Sequence, residues 1–523
     1  MSTRVARSTQ QHPRFYPKLS TPGRPGPGGT RPWPKTRHRG SFERLWRRVL
    51  AAFLVTGASL GWGAERTVRL HPESPLERFD GWGTSLCWFG NAVGRWSEPK
   101  RNAIADLLFS KDGLGLTVVR YNIGGGEAPG HHHMPTFRQM DGFEPAPGSW
   151  DWTADPGQRW MLAAAIRRGA NRLEAFSNSP PYWMTISGCA AGSADAKSDN
   201  LAARCDGAFV EYLAEVTKHF QEVWGVRFGT LDPFNEPSTA LWKAGGRQEG
   251  CHFDRSTQRV IIGRLRAALD ARGLPDVGIS ASDETNFDDA IGTLQSFDTA
   301  TLDLIAQVNV HAYATEHRTE LRDLAWRLGK TVVMSEVDGR GALVHDHDAM
   351  DPALDLAERI IGDLRELRPA CWVFWQAVED EATQAAAGKN WGLIHADLGG
   401  KSETWSLTKK YFAMAGFSRY IRPGQVIIPV DDENSIAAFD AGSGILTIVT
   451  RNPAQEPVQF VYDLSSFGPV AGPAVPHRTS ATEDLVQLAP LPFEGKRLSA
   501  TIPAGSITTY VISGVALSGG GSR

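Results

Sequence analysis

Cysteine is scarce in this chain, with 5 residues among 523. So few thiols exclude a disulfide framework of the kind that holds small secreted folds together. Cys189 and Cys205 flank a polar loop, where either a bridge between them or two free thiols would be compatible with the sequence. Cys87 and Cys371 stand in apolar, strand-like segments and are predicted to be buried. None of the cysteines has the paired spacing of a zinc site.

Long apolar runs are also missing after residue 64, so this part of the chain has no segment that could span a bilayer. One shorter run, residues 49–58, follows Arg47 and Arg48 and has the profile of a secretory signal peptide, which we place at residues 46–64. An uncleaved anchor is the alternative. The paired arginines fit either a folded-export signal or an ordinary basic n-region. We therefore expect a secreted or periplasmic protein that has no membrane partner after signal removal.

Positive charge is concentrated in the first 48 residues, and acidic residues outnumber basic ones in the rest of the chain. Residues 1–48 hold 12 of the 55 Lys and Arg residues and 1 of the 58 acidic residues, so the remaining 43 bases face 57 acids, a formal charge of −14. This acidic body excludes a nucleic acid as the expected partner. The basic head, residues 1–45, is rich in Pro and Gly and is predicted to be disordered, or to reflect a misread start codon.

Apolar strand-like segments alternate with amphipathic helical patterns from residue 79 to residue 416. This alternation is typical of an α/β fold with a parallel (β/α)8 barrel, also called a TIM barrel. The eight predicted strands are residues 79–85, 116–122, 172–177, 227–234, 277–282, 306–311, 331–335 and 371–375. Helical spacing is clearest just before the fourth strand, where Phe209, Leu213, Val216 and Phe220 recur.

The pattern changes to short alternating strand-like runs after residue 416. Residues 417–516 are predicted to form a C-terminal β-sandwich. Residues 65–78 precede the barrel and are predicted to supply an N-terminal strand to that sandwich. The Gly-rich residues 517–523 are predicted to form a flexible tail.

Two glutamates, 100 residues apart, follow predicted barrel strands. Glu236 stands in Phe-Asn-Glu-Pro after the fourth strand, and Glu336 follows the apolar seventh strand. Residues that end barrel strands meet at one mouth of the barrel, where such enzymes keep their chemistry. Hydrolysis of a glycosidic bond needs such a pair. One carboxyl is protonated and donates its proton to the leaving oxygen, and the other is ionised and attacks the anomeric carbon. The alternative for Glu236 is a structural cap on a helix that begins at Pro237.

Four polar residues on neighbouring strands are candidate partners of these glutamates. Arg120 ends the second predicted strand and could keep Glu336 ionised, or could form a structural ion pair. Asn235 could bond a sugar hydroxyl beside the reacting carbon. His311 and Tyr313 lie on one face of the sixth strand's end, where they could orient the nucleophile or bind hydroxyls. A core histidine satisfied by backbone groups is the alternative for His311.

Three adjacent histidines, His131, His132 and His133, suggest a metal site at first sight. Adjacent histidines in one loop rarely converge on one ion without further ligands. We therefore favour a substrate-loop role over an exposed loop, with a metal role as the third alternative.

Six short motifs occur in order within residues 65–515: Phe79-Asp-Gly-Trp-Gly-Thr-Ser-Leu-Cys-Trp88, Val119-Arg-Tyr-Asn-Ile-Gly-Gly-Gly126, Ser177-Asn-Ser-Pro-Pro-Tyr-Trp-Met184, Pro233-Phe-Asn-Glu-Pro237, Asn309-Val-His-Ala-Tyr313 and Met334-Ser-Glu336. Together they resemble glycoside hydrolase family 30, and the likeness is closest to its endo-β-1,6-galactanase branch. The loop of residues 248–253 is also similar to that branch.

The resemblance implies retaining hydrolysis, with Glu236 as acid/base and Glu336 as nucleophile. It implies no metal or organic cofactor for the reaction. It also implies that Arg120, Asn235, His311 and Tyr313 line the subsite at the cleavage point, with Trp183 and Trp375 as stacking or wall residues. Trp88, in the first motif, and His133, in the histidine loop, are further predicted substrate-binding residues.

The expected function is thus secreted, retaining hydrolysis of β-linked polysaccharide, and endo-β-1,6-galactanase activity on galactan side chains is the leading hypothesis. The alternatives on the same fold are a β-1,6-glucanase, a xylanase and an exo-β-glycosidase. They stay open because only a few loop contacts distinguish the orientation of one sugar hydroxyl. A non-catalytic carbohydrate-binding protein is a further alternative. The expected partner is a polysaccharide or oligosaccharide, and the expected state is a monomer.

Overall fold

The computed structural model describes residues 65–339 and 345–518. The predictions for the basic head, the signal peptide and the last five residues lie outside these ranges. None of the helices in the described ranges combines the length and the apolar character that a membrane span requires.

Eight parallel strands close into a barrel, as predicted. A first strand, β1 (Arg66–Arg69), precedes them and belongs to another sheet. The barrel strands are β2 (Gly81–Ser85), β3 (Val118–Asn122), β4 (Arg172–Phe176), β5 (Thr230–Asp232), β6 (Gly278–Glu284), β7 (Ile305–His311), β8 (Thr331–Glu336) and β9 (Cys371–Gln376). Every residue of β2, β3 and β9 is buried, as expected for parallel strands covered on both faces.

Helices surround the barrel and bury their apolar faces against it. Phe209, Leu213, Val216 and Phe220 are all buried along one helix, which confirms the predicted spacing. The helices are α1 (Phe89–Val93), α2 (Glu98–Phe109), α3 (Pro156–Arg167), α4 (Asp206–Glu222), α5 (Arg255–Ala271), α6 (Phe287–Ser296), α7 (Thr299–Leu304), α8 (Arg318–Arg327), α9 (Met350–Gly362), α10 (Glu381–Ala387) and α11 (Lys409–Ser418). A π-helical turn, Asp363–Leu367, extends α9.

A small sheet follows the last barrel strand. It pairs β10 (Val378–Asp380) in parallel with β11 (Ile394–Ala396), and β11 with the antiparallel β12 (Trp405–Leu407). Helix α10 and the loop that follows it connect β10 to β11. The insertion follows directly after β9, the barrel strand that carries Trp375.

The C-terminal part is strand-rich and antiparallel, as predicted for a sandwich. Its strands are β13 (Val426–Ile428), β14 (Ser435–Asp440), β15 (Ile445–Asn452), β16 (Val458–Asp463), β17 (Phe467–Val470), β18 (Ala474–Ser480), β19 (Glu483–Gln487), β20 (Arg497–Ile502), β21 (Ser506–Ile512) and β22 (Val515–Leu517). Six of them form one sheet in the order β13-β14-β15-β21-β18-β19.

The N-terminal strand joins this sandwich. β1 pairs in parallel with β16, and Arg66 lies opposite Phe460. The resulting sheet, β1-β16-β20, shares a buried apolar core with the larger sheet, to which Val68, Tyr462 and Ile448 contribute. The chain therefore crosses from the sandwich into the barrel and returns, which ties the two parts together.

All five cysteines are free and buried. This confirms the burial predicted for Cys87 and Cys371, and it removes the bridge between Cys189 and Cys205 considered above. The loop is held instead by polar contacts: the Asn200 side-chain amide donates to the Cys189 carbonyl at 3.1 Å.

Candidate active site

The two glutamates and His311 meet at the carboxyl ends of neighbouring barrel strands. Glu336 ends β8 and His311 ends β7, and the two residues are register partners in the parallel pairing of these strands. Glu236 lies four residues after the end of β5. All three side chains are buried, since the strand ends are covered by the loops that follow them.

The two carboxylates lie close together, and both approach the same nitrogen of the His311 ring. His311 Nδ1 is 3.2 Å from Glu236 Oε1 and 3.4 Å from Glu336 Oε1. One oxygen of each carboxylate and a ring nitrogen all lie within 4.8 Å of one another. This separation places both carboxylates on a single bond of a molecule bound between them.

Glu336 has the stronger set of partners for a negative charge. The Tyr313 hydroxyl donates to its Oε1 at 2.9 Å, and Arg120 Nη1 lies 3.6 Å from its Oε2. Burial and the charge of Glu236 raise the pKa of Glu336 to about 8, whereas His311 and Arg120 lower it. Two carboxylates this close titrate as a pair, so the pair retains one proton near neutral pH.

The backbone at Glu236 is in the left-handed region, with φ +47°. Its N–H donates to the Asp283 carbonyl at 2.9 Å, and its carbonyl accepts the Trp242 indole N–H at 3.0 Å. Such a conformation costs about 1–3 kcal/mol for a residue with a Cβ and persists only where the surroundings impose it. The helix-cap alternative is wrong, because the next helix, α5, begins only at Arg255.

A buried charge network supports the pair from below. Arg120 bonds Asp283 and Glu174, the latter at 2.8 Å, and its Nη1 donates to the Ser335 carbonyl at 3.1 Å. His311 Nε2 lies 3.1 Å from Asp283 Oδ1. This network holds the Arg120 guanidinium and the His311 ring in place under both glutamates.

The charges in this network keep His311 protonated. Burial lowers the pKa of His311, but the charges of Glu336 and Asp283 outweigh this effect and raise it well above the usual value. Burial opposes ionisation of Asp283 as well, yet Arg120 and His311 lower the pKa of Asp283 to about 2. The Nδ1–H of this imidazolium faces both glutamates and can donate to either of them.

Sequence reasoning missed Asp283 and Glu174. Asp283 lies 163 residues from Arg120 along the chain, so no local pattern links them. The sequence feature that could have identified Asp283 is the acidic pair Asp283-Glu284 at the end of a predicted barrel strand. A charge buried there is costly unless it is paired with an opposite charge.

A cleft of about 610 Å³ opens above the two glutamates. Aromatic side chains from several loops form much of its wall: Trp88, Trp242, Tyr313, Trp375 and Trp391. Asn235 also lines the cleft, and its Oδ1 is buried with no hydrogen-bond partner among the described residues. A cleft with aromatic faces and unpaired polar atoms suits a sugar, whose C–H faces stack while its hydroxyls form hydrogen bonds.

The other predicted substrate residues occupy different places. Trp88 and Trp375 line the cleft and meet edge to face, with ring centroids 5.3 Å apart. Arg120 and His311 lie beneath the carboxylates instead of on the cleft wall. Trp183 lies outside the cleft lining, and its indole N–H donates to the Glu144 carbonyl at 2.7 Å.

His133 lies behind the cleft wall. Its Nδ1 is 2.5 Å from the carbonyl oxygen of Gly246, a cleft residue, and its Nε2 is 3.0 Å from Glu127 and 3.4 Å from Cys189 Sγ. His131 bonds the same glutamate at 2.9 Å. These contacts tie two loops together, and direct contact of His133 with substrate stays a prediction.

Comparison with known proteins agrees with this site. The sequence profile of O-Glycosyl hydrolase family 30 matches residues 65–296. The chain is 34% identical to the endo-β-1,6-galactanase of Hypocrea rufa over 485 residues, which cover 87% of this chain and 96% of that enzyme. It is 26% identical to the exo-β-1,6-galactobiohydrolase of Bifidobacterium longum, with 90% of this chain and 42% of that protein covered.

The fold is also similar to that of a solved structure, the catalytic domain of the family 30 xylanase C from Talaromyces cellulolyticus. The TM-score is 0.63 at 20% identity, and the match covers 86% of this chain and all of that chain. On the matched profile and the identity over nearly the full length of a curated relative, the chain belongs to glycoside hydrolase family 30 and is a glycosidase.

Proposed function

We propose that this protein is a secreted, retaining endo-β-1,6-galactanase. The choice of substrate rests on the 34% identity to an endo-β-1,6-galactanase over 96% of that enzyme's length. The choice of mechanism rests on the short separation of the two glutamates. Retaining enzymes hold their carboxyl groups about 5–5.5 Å apart, whereas inverting enzymes leave about 6.5–9.5 Å for a water molecule. A carboxylate oxygen separation within 4.8 Å favours retention.

The environment of each glutamate supports its role. Tyr313 and Arg120 both stabilise the anion of Glu336, so the single proton of the pair belongs on Glu236 when a substrate is bound. Glu336 then acts as the nucleophile. Glu236 acts as the acid, and the His311 imidazolium compensates the negative charge that develops on Glu236 when its proton leaves.

The reaction proceeds in two displacement steps. In the first step Glu336 attacks the anomeric carbon and the glycosidic bond breaks, while Glu236 transfers its proton to the departing oxygen. In the second step Glu236 removes a proton from water, and the resulting hydroxide displaces Glu336 from the sugar. Two inversions give net retention, and Glu236 is protonated again at the end.

Cleft residues bind the sugar at the point of cleavage. Asn235 lines the cleft beside Glu236, and we expect its side-chain amide to bond the hydroxyl next to the anomeric carbon. Trp88 and Trp375, which contact each other edge to face, provide apolar surface in the cleft. Each ordinary aromatic contact contributes about 0.5–1.5 kcal/mol.

Export is part of the proposal and rests on residues 46–64. A basic, then apolar, then small-residue profile is the mark of a secretory signal. Amino-terminal sequencing of the protein recovered from the culture medium would test this part. Recovery of an unprocessed chain from the cell body alone would refute it.

A polymer panel tests the activity. The protein is incubated with β-1,6-galactan, β-1,6-glucan and xylan, alongside the Glu336→Gln variant as a matched control, and released sugars are separated by chromatography. We expect short galacto-oligosaccharides from the first polymer alone, and none from the variant. Proton NMR of the first products should show the β-anomer before mutarotation.

Other results would change different parts of the proposal. Products from glucan or xylan only would overturn the substrate. Release of disaccharides alone from chain ends would replace endo with exo action. An initial α-anomer would overturn the retaining mechanism.

A further inference from the structure

Three histidines and a glutamate converge on one point outside the catalytic pair. His345 and His347 lie in the loop before α9, Glu381 begins α10, and His395 is the central residue of β11. The four residues come from segments up to 50 residues apart, and His395 is fully buried beneath the others. No motif considered in the sequence analysis includes them.

The ligand-type atoms of these residues face one another at short range. Glu381 Oε1 is 2.9 Å from His345 Nε2, and Glu381 Oε2 is 3.0 Å from His347 Nε2 and 3.1 Å from His395 Nδ1. His347 Nε2 and His395 Nδ1 are 3.0 Å apart. One atom from each residue lies within 4.8 Å of all the others.

Too few hydrogen atoms are available at this point to satisfy the four groups. His345 Nδ1 is 3.0 Å from the Lys389 carbonyl and His395 Nε2 is 2.7 Å from the Trp391 carbonyl. Because a carbonyl only accepts, these outer nitrogens carry hydrogens, and in the metal-binding form of each ring the inner nitrogen is bare. Two bare nitrogens and two carboxylate oxygens then converge, and only His347 can supply one N–H to them.

We propose that His345, His347, Glu381 and His395 form a binding site for a divalent transition-metal ion of the zinc class. Imidazole nitrogens and a carboxylate are the ligands that zinc takes, with bonds of about 2.0–2.2 Å. In a tetrahedral site of that size the ligand atoms are about 3.3 Å apart, close to the separations found here. The carbonyls of Lys389 and Trp391 bond the outer ring nitrogens, which is the usual way in which metal-binding histidines are oriented.

The ion would be structural, because it lies behind the cleft wall and not between the catalytic glutamates. Lys389 and Trp391, whose carbonyls hold the two histidine rings, both line the cleft. The Trp391 ring stacks on Tyr313 with centroids 6.1 Å apart, and Tyr313 donates to Glu336. A bound ion therefore fixes the loop that carries Trp391.

The test measures metal on the full-length protein. After dialysis against a weak chelator, the protein is given zinc, passed over a desalting column and assayed for metal by mass spectrometry. Cobalt replaces zinc in a second sample, since its visible absorption reports a tetrahedral site with nitrogen and oxygen ligands. Thermal unfolding with and without zinc is followed by circular dichroism.

Two ligand variants and two controls accompany the wild type. His347→Ala and His395→Ala each remove a ligand, and loss of a direct ligand should weaken zinc binding by at least about 100-fold. His131→Ala removes a member of the other histidine group, formed with Glu127, His133 and Cys189. His317→Ala removes an exposed histidine that pairs with Asp288.

We expect one zinc per wild-type chain, a higher unfolding temperature with zinc, and loss of both effects in the two ligand variants only. His347 is partly exposed, so a folded His347→Ala variant without the zinc response is the deciding result. The proposal is overturned if the wild type retains no metal, if both ligand variants retain it, or if His131→Ala alone loses it.

Discussion

Replacement of Tyr313 by Phe tests how the protein controls the charge on Glu336. The change removes the hydroxyl that donates to Glu336 Oε1 at 2.9 Å but keeps the ring that stacks on Trp391. A hydrogen bond to a charged group contributes about 1.5–3 kcal/mol. If this bond stabilises the nucleophile in the transition state, kcat/KM should fall by roughly 10- to 150-fold, since 1.36 kcal/mol corresponds to a factor of ten.

The same variant should move the pH profile in a defined direction. The active form of the pair carries one proton, on Glu236, so the acidic limb reports protonation of Glu336, the ionised partner. Loss of the Tyr313 donor destabilises the Glu336 anion and raises its pKa. Because one pKa unit corresponds to 1.36 kcal/mol, the acidic limb should shift to higher pH by about 1–2 units.

The assay is kcat/KM on a soluble galacto-oligosaccharide between pH 4 and pH 10. Tyr420→Phe is the matched control, because its hydroxyl pairs with His477 of the sandwich at 3.0 Å, away from the cleft lining. We expect the control to keep the wild-type rate and profile. A Tyr313→Phe variant with less than a threefold loss and an unmoved profile would refute the argument that this hydroxyl stabilises Glu336.

Three further substitutions test other parts of the site. Glu336→Gln should lower kcat by at least about 10⁴-fold with an unchanged unfolding temperature, and substantial residual turnover would remove it as nucleophile. Arg120→Met leaves buried acids unpaired and should lower the free energy of unfolding in urea by about 3–5 kcal/mol. The half-exposed ion pair of Arg95 with Asp141 should contribute under about 1 kcal/mol to the free energy of unfolding. Equal losses of that free energy in Arg95→Met and Arg120→Met would contradict this reasoning. Trp391→Ala should raise KM by about 2- to 10-fold, and an unchanged KM would exclude stacking.

The sequence was sufficient for the order and type of most elements. Each predicted barrel strand overlaps an observed one, from residues 79–85 with β2 to residues 371–375 with β9. Buried parallel strands are short apolar runs, and amphipathic helices repeat every three to four residues, so both signals are local. Glu236 and Glu336 could be selected for the same reason, since each follows such a strand.

Contacts between distant residues could not be read in this way. Arg120 was matched to Glu336, but its closest partners are Glu174 and Asp283 on other strands. Trp183 and Trp375 were both predicted to line the subsite, yet the Trp183 indole bonds a loop carbonyl and lies outside the cleft lining. Strand alternation predicts which face a residue takes, and the loops decide whether that face meets the cleft.

The sequence by itself thus determined the barrel, the sandwich and the two carboxylates at strand ends, because periodicity and strand ends are properties of neighbouring residues. Only the tertiary structure decided that His311 Nδ1 faces both carboxylates, that Asp283 lies beneath them and that His345, His347, Glu381 and His395 share one point. Closure of the barrel and insertion of the β10–β12 sheet bring these side chains together. A distance between segments dozens of residues apart is set by that packing and has no signature in any single segment.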